Sequence, residues 1–342
     1  MKRRSVMFTA PHEAAVVEEK FDDNLSEKQV LVETLVSAIS PGTEMLIYRG
    51  QAPDDLAVDE SLAALPGMFS FPMKYGYSAV GRVIKIGSGV DRSWQDRLVF
   101  AFNPHETCFT AAIEDLMPVP ADIESEEAIF LANTETAVNF VMDGRPLIGE
   151  RIVVFGQGIV GLLTAALLVK VPLVNVLTVD RYPRRREASC SLKVAASLDP
   201  ASPTFSADLA DRIGESGADL TFEMSGAPTA LDQAIGVTGY GGRVVIGSWY
   251  GNKPVTLALG GKFHRSRMTL ISSQVSTLQP ELTGRWDKSR RFELAWDAIR
   301  RIRPAQFITH RIPFEDASSA YQLYDCQPQD ALQIIFTYGR SQ

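Results

Sequence analysis

The chain has 342 residues, a length that fits two domains of ordinary size better than one. Hydrophobic residues make up 45% and charged residues 22%, as in globular proteins, and a net charge of −7 argues against a nucleic-acid partner, since such proteins concentrate positive charge. The three cysteines are widely spaced and contain no C-x-x-C pair, which excludes a disulfide framework and a cysteine-rich zinc site. A small-molecule partner is therefore expected.

The N-terminal stretch "MKRRSVMFTAPHEAAV" is basic, but its apolar run is too short and too interrupted for a secretory signal. The longest apolar run, "IVGLLTAALLVKVPLVNVLTV", is broken by Lys170 and Pro172. We therefore expect a cytoplasmic protein without a membrane span.

From residue 5 to about residue 120 the sequence consists of short strand-like runs separated by turns, among them "VLVETLVSAIS" and "SAVGRVIKIGSGV". This half predicts a compact β-rich domain. Residues 53–72 form a proline-bounded insertion, which we interpret as a surface loop or a short helix. Such a segment is either solvated surface or the border of a binding site.

After about residue 125 the pattern changes to strands that alternate with helices. The strands are nearly continuous in apolar residues, as in "RIVVFG", "NVLTVD" and "GGRVVIGSWYG". Strands of this kind, separated by helices, predict an α/β fold with a parallel sheet covered on both faces.

The strand "RIVVFG" continues directly into "GQGIVG", which places Gly156, Gly158 and Gly161 in G-x-G-x-x-G spacing. By itself the pattern is weak, since it arises by chance in about one chain in ten of this length. The preceding strand and the following apolar helix make it a prediction of dinucleotide binding. The glycines allow a tight turn, approach of the backbone to the pyrophosphate, and close helix packing, while the helix start at Ile159 and Val160 supplies N–H donors to the phosphates.

The next strand ends at Asp180, near the spacing expected for the acid that binds the adenosine ribose. A carboxylate there favours NAD, because it would repel a 2′-phosphate. Arg181, Arg184 and Arg185 follow at once, and they either hold a 2′-phosphate or form a solvated cationic helix start. NAD is preferred, and NADP stays open.

Several motifs together resemble the medium-chain dehydrogenase/reductase superfamily over nearly the whole chain: "GERIVVFGQGIVG", "VDRYPRRREAS", "ADLTFEMSGAPTALDQAI", "GGRVVIGSWYG" and "ITHRIPFEDASSAYQL". The resemblance implies a GroES-like β-rich catalytic domain, residues 1–133 and 275–342. A Rossmann doubly wound parallel sheet, residues 134–274, would be inserted in it. The motifs "SAISPGTEMLIYRG" and "FHRSRMTLISSQVS" look most like the branch that contains bacteriochlorophyllide 2-hydroxyethyl dehydrogenase.

Zinc-dependent members of this superfamily hold a catalytic metal, and the resemblance shows where its ligands would fall here. The positions are Pro41, or Ser40 if the alignment slips by one, then Tyr77 with Ser78 after it, and Ala132 or Asn133. Zinc requires thiolate, imidazole or carboxylate donors, which proline, tyrosine and alanine do not provide. The segment that matches the structural zinc lobe has only Cys108. The resemblance therefore implies a zinc-free member with no metal site.

Without zinc, side chains must manage the proton that accompanies hydride transfer. Tyr77 is the leading candidate for donating a hydrogen bond or proton to a substrate oxygen, the alternative being that it fills the vacated zinc pocket. By resemblance, Thr43 takes the place of a hydroxyl relay residue and Glu44 that of the acid behind the metal, although Glu44 is equally interpretable as a structural carboxylate. His105, one of four histidines, is either an acid–base group or structural.

The resemblance also implies the residues at the nicotinamide end of the cofactor. Thr136 should contact the nicotinamide, and the backbone around residues 246–248 and 272–274 should bind its carboxamide. With the ribose-end arginines, the predicted cofactor contacts beyond the glycine turn and Asp180 are Thr136, Arg181, Arg185, Ser225, Gly247, Ser248, Ser272 and Gln274. No role is assigned to Glu135.

Three functions are compatible with these features. The first is a zinc-independent, NAD-linked dehydrogenase that interconverts a secondary alcohol and a ketone of a specialised metabolite. The second is an NADPH-dependent enone or quinone reductase, and the third is a dinucleotide-binding protein without catalysis. The resemblance implies a homodimer formed near "GGRVVIGSWYG" and "MTLISSQV". The substrate, the physiological direction and the identity of the proton donor are not determined by the sequence.

Overall fold

The computed structural model describes residues 1–58 and 64–339. The strands, in chain order, are β1 (Lys2–Ala10), β2 (Glu13–Lys20), β3 (Gln29–Ala38), β4 (Ala79–Ile86), β5 (Leu98–Ala101), β6 (Cys108–Ala112), β7 (Leu116–Pro118), β8 (Arg151–Phe155), β9 (Asn175–Val179), β10 (Ala196–Leu198), β11 (Ala218–Glu223), β12 (Thr238–Ile246), β13 (Thr269–Ser272), β14 (Ile308–Pro313) and β15 (Gln333–Thr337). The helices are α1 (Thr43–Tyr48), α2 (Ser125–Ala128), α3 (Leu131–Gly144), α4 (Ile159–Leu168), α5 (Pro183–Ser191), α6 (Phe205–Ile213), α7 (Pro228–Val237), α8 (Lys288–Ile302) and α9 (Ala317–Cys326).

The chain divides into two compact units. Unit 1 comprises Met1–Ala132 and Arg303–Gln342, and unit 2 comprises Asn133–Ile302. The family resemblance implied a terminal domain that includes residues 275–302, whereas the structure includes them in unit 2. The physical reason lies in α8, because its residue Arg291 forms an ion pair with Glu135 on α3.

Unit 2 is built on a parallel sheet with strand order β10-β9-β8-β11-β12-β13. Alternate side chains of β8 pack into two different hydrophobic clusters. Val153 and Phe155 belong to a buried cluster with residues of α6 and α7, while Ile152 and Val154 join a second cluster that includes Phe140 of α3. A strand buried on both faces has to be apolar at every position, which explains the "RIVVF" run and confirms the predicted α/β class.

The order of this sheet also predicts where a ligand binds. Chain order from β8 runs outward in one direction through β9 and β10, and in the other through β11, β12 and β13. The direction of winding therefore reverses between β8 and β11, and in open parallel sheets ligands bind at the carboxyl ends of the strands beside such a reversal. The glycine-rich turn follows β8 at this point.

Unit 1 contains a mainly antiparallel sheet with strand order β14-β15-β3-β4-β5-β7, in which β6 also pairs with β3. Its core packs inward-facing residues of several strands, including Val32, Val83, Val99 and Phe109. This is the β-rich second domain that the sequence predicted. A separate antiparallel pair is formed by β1 and β2.

The insertion at residues 53–72 lies partly outside the described residues, since residues 59–63 are not included. In its described parts the chain forms turns and an isolated bridge between Ala57 and Met68, and no helix is present there. Within the described residues, the helices are too short or too polar to cross a membrane.

Candidate active site and dinucleotide site

The segment Gly76–Ser78 enters β4 in a conformation that its glycine permits. Gly76 has φ +125°, and a Cβ at this position would lie 2.8 Å from the His105 ring. A side chain is therefore excluded at residue 76 by both backbone strain and contact. Two residues on, the buried Ser78 hydroxyl donates to the Ile129 carbonyl at 2.7 Å, so Ser78 ties β4 to the end of α2.

The Tyr77 side chain between them is partly buried and bonded to another hydroxyl group. Its phenol donates to Ser40 Oγ at 2.5 Å. Burial raises the pKa of the Tyr77 phenol, the Ser40 and Thr43 side chains oppose part of this shift, and the Glu44 charge adds to it. The phenol is therefore a neutral hydrogen-bond donor at physiological pH.

Glu44 connects the region around Tyr77 to a buried network of hydrogen bonds. Its side chain is fully buried, and one carboxylate oxygen accepts from the backbone N–H of Ser40 at 2.7 Å. The other oxygen accepts from the Tyr321 hydroxyl at 2.7 Å and lies 3.0 Å from His105 Nε2. A buried carboxylate is stable only when its oxygens are bonded, and Glu44 meets this condition while it fixes the position of Ser40.

The network continues through His105. Its Nδ1 lies 2.7 Å from Ser37 Oγ, which in turn lies 2.7 Å from the Tyr338 hydroxyl. Both ring nitrogens of His105 are thus engaged, and its side chain is fully buried. This geometry favours a positioning role over direct contact with substrate.

Sequence reasoning did not identify Ser37, Tyr321 or Tyr338 as members of this network. In the sequence, Tyr321 and Tyr338 look like ordinary apolar positions of a helix and of a strand end. Both are far along the chain from Glu44 and Ser37, so the sequence gives no sign that they lie close to these residues. Burial raises the pKa of both phenols, and the nearby carboxylates add to the effect. Only the fold brings these groups together.

The side chains at the expected zinc positions do not suit a zinc ion. Tyr77 and Ser40 are bonded to each other, Ser78 donates to a backbone carbonyl, and Pro41 carries no donor atom. Among the described residues, no group of three or more His, Cys, Asp or Glu side chains is arranged to hold a metal. A tetrahedral zinc site needs several such ligands.

In unit 2, the glycine-rich turn after β8 passes close to neighbouring backbone. Gly156 has φ +90°, and a Cβ there would lie 2.6 Å from the Ser225 backbone nitrogen. A Cβ at Gly161 would lie 2.0 Å from the Gly156 carbonyl, so the third glycine allows α4 to approach the turn. Gly158, in contrast, has open space, with a side-chain atom of Arg185 3.9 Å from its Cβ position. The open side leaves room for phosphates beside the start of α4, at Ile159 and Val160.

Asp180 follows β9 and is nearly buried. One carboxylate oxygen accepts from the Gln157 backbone N–H at 2.7 Å, and the other accepts from the Tyr182 backbone N–H at 2.8 Å. The guanidinium groups of Arg181 and Arg185 lie over the Tyr182 ring, 4.6 and 4.8 Å from its centroid. Asp180 therefore shapes the turn in addition to any contact with a ribose, and the two arginines are held beside it.

The remaining predicted cofactor residues lie at or near the carboxyl ends of the parallel strands, apart from Thr136, which lies on α3. Ser225 follows β11, Gly247 and Ser248 follow β12, and Ser272 and Gln274 lie at and just beyond the end of β13. A Cβ at Gly247 would lie 2.5 Å from the Phe140 ring, and the Ser248 hydroxyl accepts from the Gly226 N–H at 2.8 Å. Their contacts with a cofactor stay predictions.

Glu223, which the sequence analysis did not single out, supports this region. It is fully buried, accepts from the N–H and hydroxyl of Ser225 at 2.7 and 2.5 Å, and accepts a hydrogen bond from the Tyr250 hydroxyl. Burial, with the Glu223 charge, raises the pKa of Tyr250. Glu223 thus connects the segments that follow β11 and β12.

A separate cavity of about 550 Å³ lies in unit 1, with Arg3, Lys74, Asn103 and Glu106 among its described lining residues. Arg3 and Lys74 both pair with Glu106 and Glu19. Because the cations in its wall already have carboxylate partners, this cavity is not an evident anion site, and Tyr77 does not line it.

Comparison with protein families gives one matching family, described as zinc-binding dehydrogenase, over residues 160–290. Among curated proteins, the chain is 23% identical to D-guloside 3-dehydrogenase of Escherichia coli strain K12, over 98% of this chain and 100% of that protein. It is 26% identical to 2-desacetyl-2-hydroxyethyl bacteriochlorophyllide A dehydrogenase of Rhodobacter capsulatus, over 90% of each.

Solved structures share the fold. A short chain alcohol dehydrogenase of Escherichia coli CFT073 in complex with NADH matches with a TM-score of 0.78 at 15% identity, over 98% of this chain and 99% of that one. A putative zinc-binding dehydrogenase of Sinorhizobium meliloti bound to NADP matches with a TM-score of 0.77 at 15% identity, with the same coverage. Because one binds NADH and the other NADP, this fold does not decide the cofactor. The family match over residues 160–290, the full-length relatives and the shared fold make this chain similar to oxidoreductases of the medium-chain dehydrogenase/reductase superfamily.

Proposed function

We propose that this protein is a zinc-independent dehydrogenase that transfers a hydride between NAD(H) and a secondary alcohol or ketone of a specialised metabolite. The observation that carries the proposal is that the Tyr77 phenol occupies an expected zinc-ligand position and donates a hydrogen bond to the Ser40 hydroxyl. The proposal assigns dinucleotide binding to unit 2 and proton handling to unit 1.

Bound NADH supplies the hydride for reduction of a ketone. Tyr77 binds the substrate oxygen and gives it a proton, so that one hydride and one proton convert the carbonyl to an alcohol. For this step the Ser40 hydroxyl turns to donate to the tyrosine oxygen, and Ser40 and Thr43 stabilise the phenolate that forms. Glu44 holds Ser40 through its backbone N–H, with His105 and Tyr321 supporting the carboxylate.

NAD is the cofactor that we propose. The phosphates would bind at the turn of Gly156, Gly158 and Gly161, where the open space lies. Asp180 would bind the ribose, since each of its oxygens accepts one backbone N–H and has the capacity to accept another hydrogen bond. We further propose that the enzyme acts in the cytoplasm on a small molecule and forms a homodimer.

One observation favours a second candidate, an NADPH-dependent enone or quinone reductase. Arg181 and Arg185 flank Tyr182 next to Asp180, where their guanidinium groups could bind a 2′-phosphate. Reduction of an enone needs only polarisation of its carbonyl oxygen, which a neutral Tyr77 also provides. Cofactor preference and product structure separate the two candidates.

The test replaces Tyr77 with Phe, which removes the phenolic hydroxyl and keeps the ring. We expect ketone reduction to fall by about 10²-fold, the usual worth of a positioned acid, with NADH affinity unchanged. The matched control is Tyr240→Phe, which removes an exposed phenol of unit 2 and should leave turnover unchanged.

Wild-type activity is first located with a panel of secondary alcohols, ketones, enones and quinones, while NADH and NADPH binding are followed by fluorescence. If the Tyr77→Phe variant turns over as fast as the wild type, Tyr77 only fills the pocket and is not the proton donor. NADPH oxidation with a quinone, without activity on alcohols, would overturn the first candidate in favour of the second. Cofactor binding without turnover across the panel would indicate the non-catalytic alternative.

A further inference from the structure

An arginine is completely buried in unit 2. Arg291, on α8, has no exposed surface, and its guanidinium donates to Glu135 Oε1 through Nε at 3.0 Å and Nη2 at 2.7 Å. It also donates to Asn139 Oδ1 at 2.6 Å, to the Thr277 carbonyl at 3.1 Å and to the Val275 carbonyl. One guanidinium therefore joins three parts of unit 2: α8, α3 and the segment after β13.

Burial of this ion pair costs free energy, so we look for a function of its geometry. Removing a guanidinium and a carboxylate from water has a large free-energy cost, and apolar residues of similar volume often stabilise a protein as well or better. Burial raises the pKa of Glu135, and Arg291 beside it opposes part of this shift. What the planar guanidinium adds over apolar packing is a set of fixed directions toward several acceptors.

A second set of bonds ties the same two segments together. Asn139 donates through Nδ2 to Asp143 Oδ2 at 3.0 Å and to Ser273 Oγ at 3.1 Å. The Ser273 hydroxyl donates to Asp143 Oδ2 at 2.5 Å. The segment after β13 is thus fixed to α3 or α8 at Ser273, Val275 and Thr277. These positions alternate in sequence with Ser272 and Gln274, which are exposed.

The location of these ties links them to the cofactor, on the basis of the function proposed above. Thr136, predicted to contact the nicotinamide, follows Glu135 on α3, and Ser272 and Gln274 are predicted to bind the carboxamide. We infer that Arg291 is a positioning residue for the nicotinamide end of the dinucleotide site. It holds α3 and the segment 272–277 at a fixed separation without touching the cofactor itself.

The experiment compares two ligands that differ only at that end, NADH and ADP-ribose, the second of which lacks the nicotinamide. Arg291→Lys keeps a positive charge near Glu135 but loses the planar donors, so the separation of the two segments is no longer fixed. We expect its dissociation constant for NADH to rise by about tenfold while that for ADP-ribose stays within about twofold of the wild type. If the wild type prefers NADPH, the matched pair is NADPH and 2′-phospho-ADP-ribose.

The control is Arg300→Lys, an equivalent change on the same helix at a partly exposed residue that pairs with Asp297. It should leave both dissociation constants unchanged. Ser273→Ala provides a second variant in case Arg291→Lys does not fold, because it removes one tie at a partly exposed position, and it should weaken NADH by about threefold with ADP-ribose unchanged.

The ratio of the two dissociation constants decides the inference, because a general loss of folded protein would not change it. Equal weakening of both ligands in Arg291→Lys and Ser273→Ala, or no weakening of NADH in either, overturns the positioning role of Arg291. Wild-type protein that binds NADH no more tightly than ADP-ribose also overturns it. Wild-type protein that binds neither dinucleotide nor ADP-ribose overturns the proposed function as well.

Discussion

Tyr77 differs from a free tyrosine in its charge environment. Its partly buried phenol lies near the Glu44 carboxylate, and both burial and this negative charge disfavour the phenolate. Ser40 and Thr43 stabilise the phenolate and offset part of the effect. At neutral pH the group is therefore present as the phenol, the form that donates a hydrogen bond or a proton to a substrate oxygen, whereas the phenolate that would accept a proton from an alcohol is scarce.

The pH dependence of the reaction follows from the raised pKa of Tyr77. In the proposed reaction the protonated phenol is the acid, and it persists to a pH above the ordinary tyrosine pKa of about 10. We therefore expect kcat for ketone reduction to show no loss from Tyr77 ionisation between pH 6 and about pH 9, while alcohol oxidation becomes faster as pH rises. Initial rates in both directions across this range provide the measurement. A fall in reduction rate near pH 7 that disappears in Tyr77→Phe would contradict a raised pKa.

At the scale of elements, short connections carry much of the geometry of both candidate sites. The turn after β8 places Gly156 next to the segment after β11 because these two strands are neighbours in the sheet. Gly76, just before β4, has a similar role in unit 1, since it lets the chain pass against the His105 ring. In each case a glycine allows one backbone segment to approach another group at a distance that a side chain would prevent.

The residue 76 position gives a direct test of this close approach. In Gly76→Ala the new methyl group would meet the His105 ring at 2.8 Å, and φ of +125° is unfavourable for alanine. The ring is held by Ser37 and Glu44 and has little room to move. We expect a destabilisation of about 2 to 4 kcal/mol, seen as a melting temperature lowered by several degrees.

Gly42→Ala is the matched control for this prediction. Gly42 lies in the same unit, has an ordinary negative φ of −84°, and has no atom within 4 Å of its Cβ position. Its melting temperature should stay within about 2 °C of the wild type, as for other substitutions without a clash. Equal melting temperatures for the two variants would show that the contact at His105 relaxes without cost.

At the scale of the whole molecule, local patterns predicted the fold better than the site. The run "RIVVFGQGIVG" predicts a strand, a turn and a helix because apolar periodicity and glycine spacing act over a few residues, and the structure contains β8, the turn and α4 at these positions. The partners of Glu44 could not be predicted in this way. Tyr321 is 277 residues away in sequence, and only the folding of the two chain ends into one unit brings it near.

The misplaced boundary at residue 275 has a related cause. α8 carries several charged residues, a composition that is typical of surface helices and gives no sign that one arginine is buried. Arg291 is fully enclosed because carboxylate, amide and carbonyl groups from distant parts of unit 2 satisfy its donors. A sequence pattern registers the charge of a residue but does not register partners that are supplied by other elements.

The arrangement of the unit 2 sheet leads to a prediction about assembly. β13 forms one edge of this sheet, and the backbone groups on the outer side of an edge strand are available to pair with a second copy about a two-fold axis. We expect the protein to have about twice its chain mass of 37.5 kDa when measured by light scattering coupled to size exclusion.

Thr269→Lys places a positive charge at an exposed position of β13, where it would repel the same charge on the second copy, and should shift the mass toward that of one chain. Ser206→Lys adds the same charge at an exposed position of α6 and should leave the mass unchanged. A wild-type mass equal to that of a single chain at micromolar concentration would exclude a dimer formed through this edge.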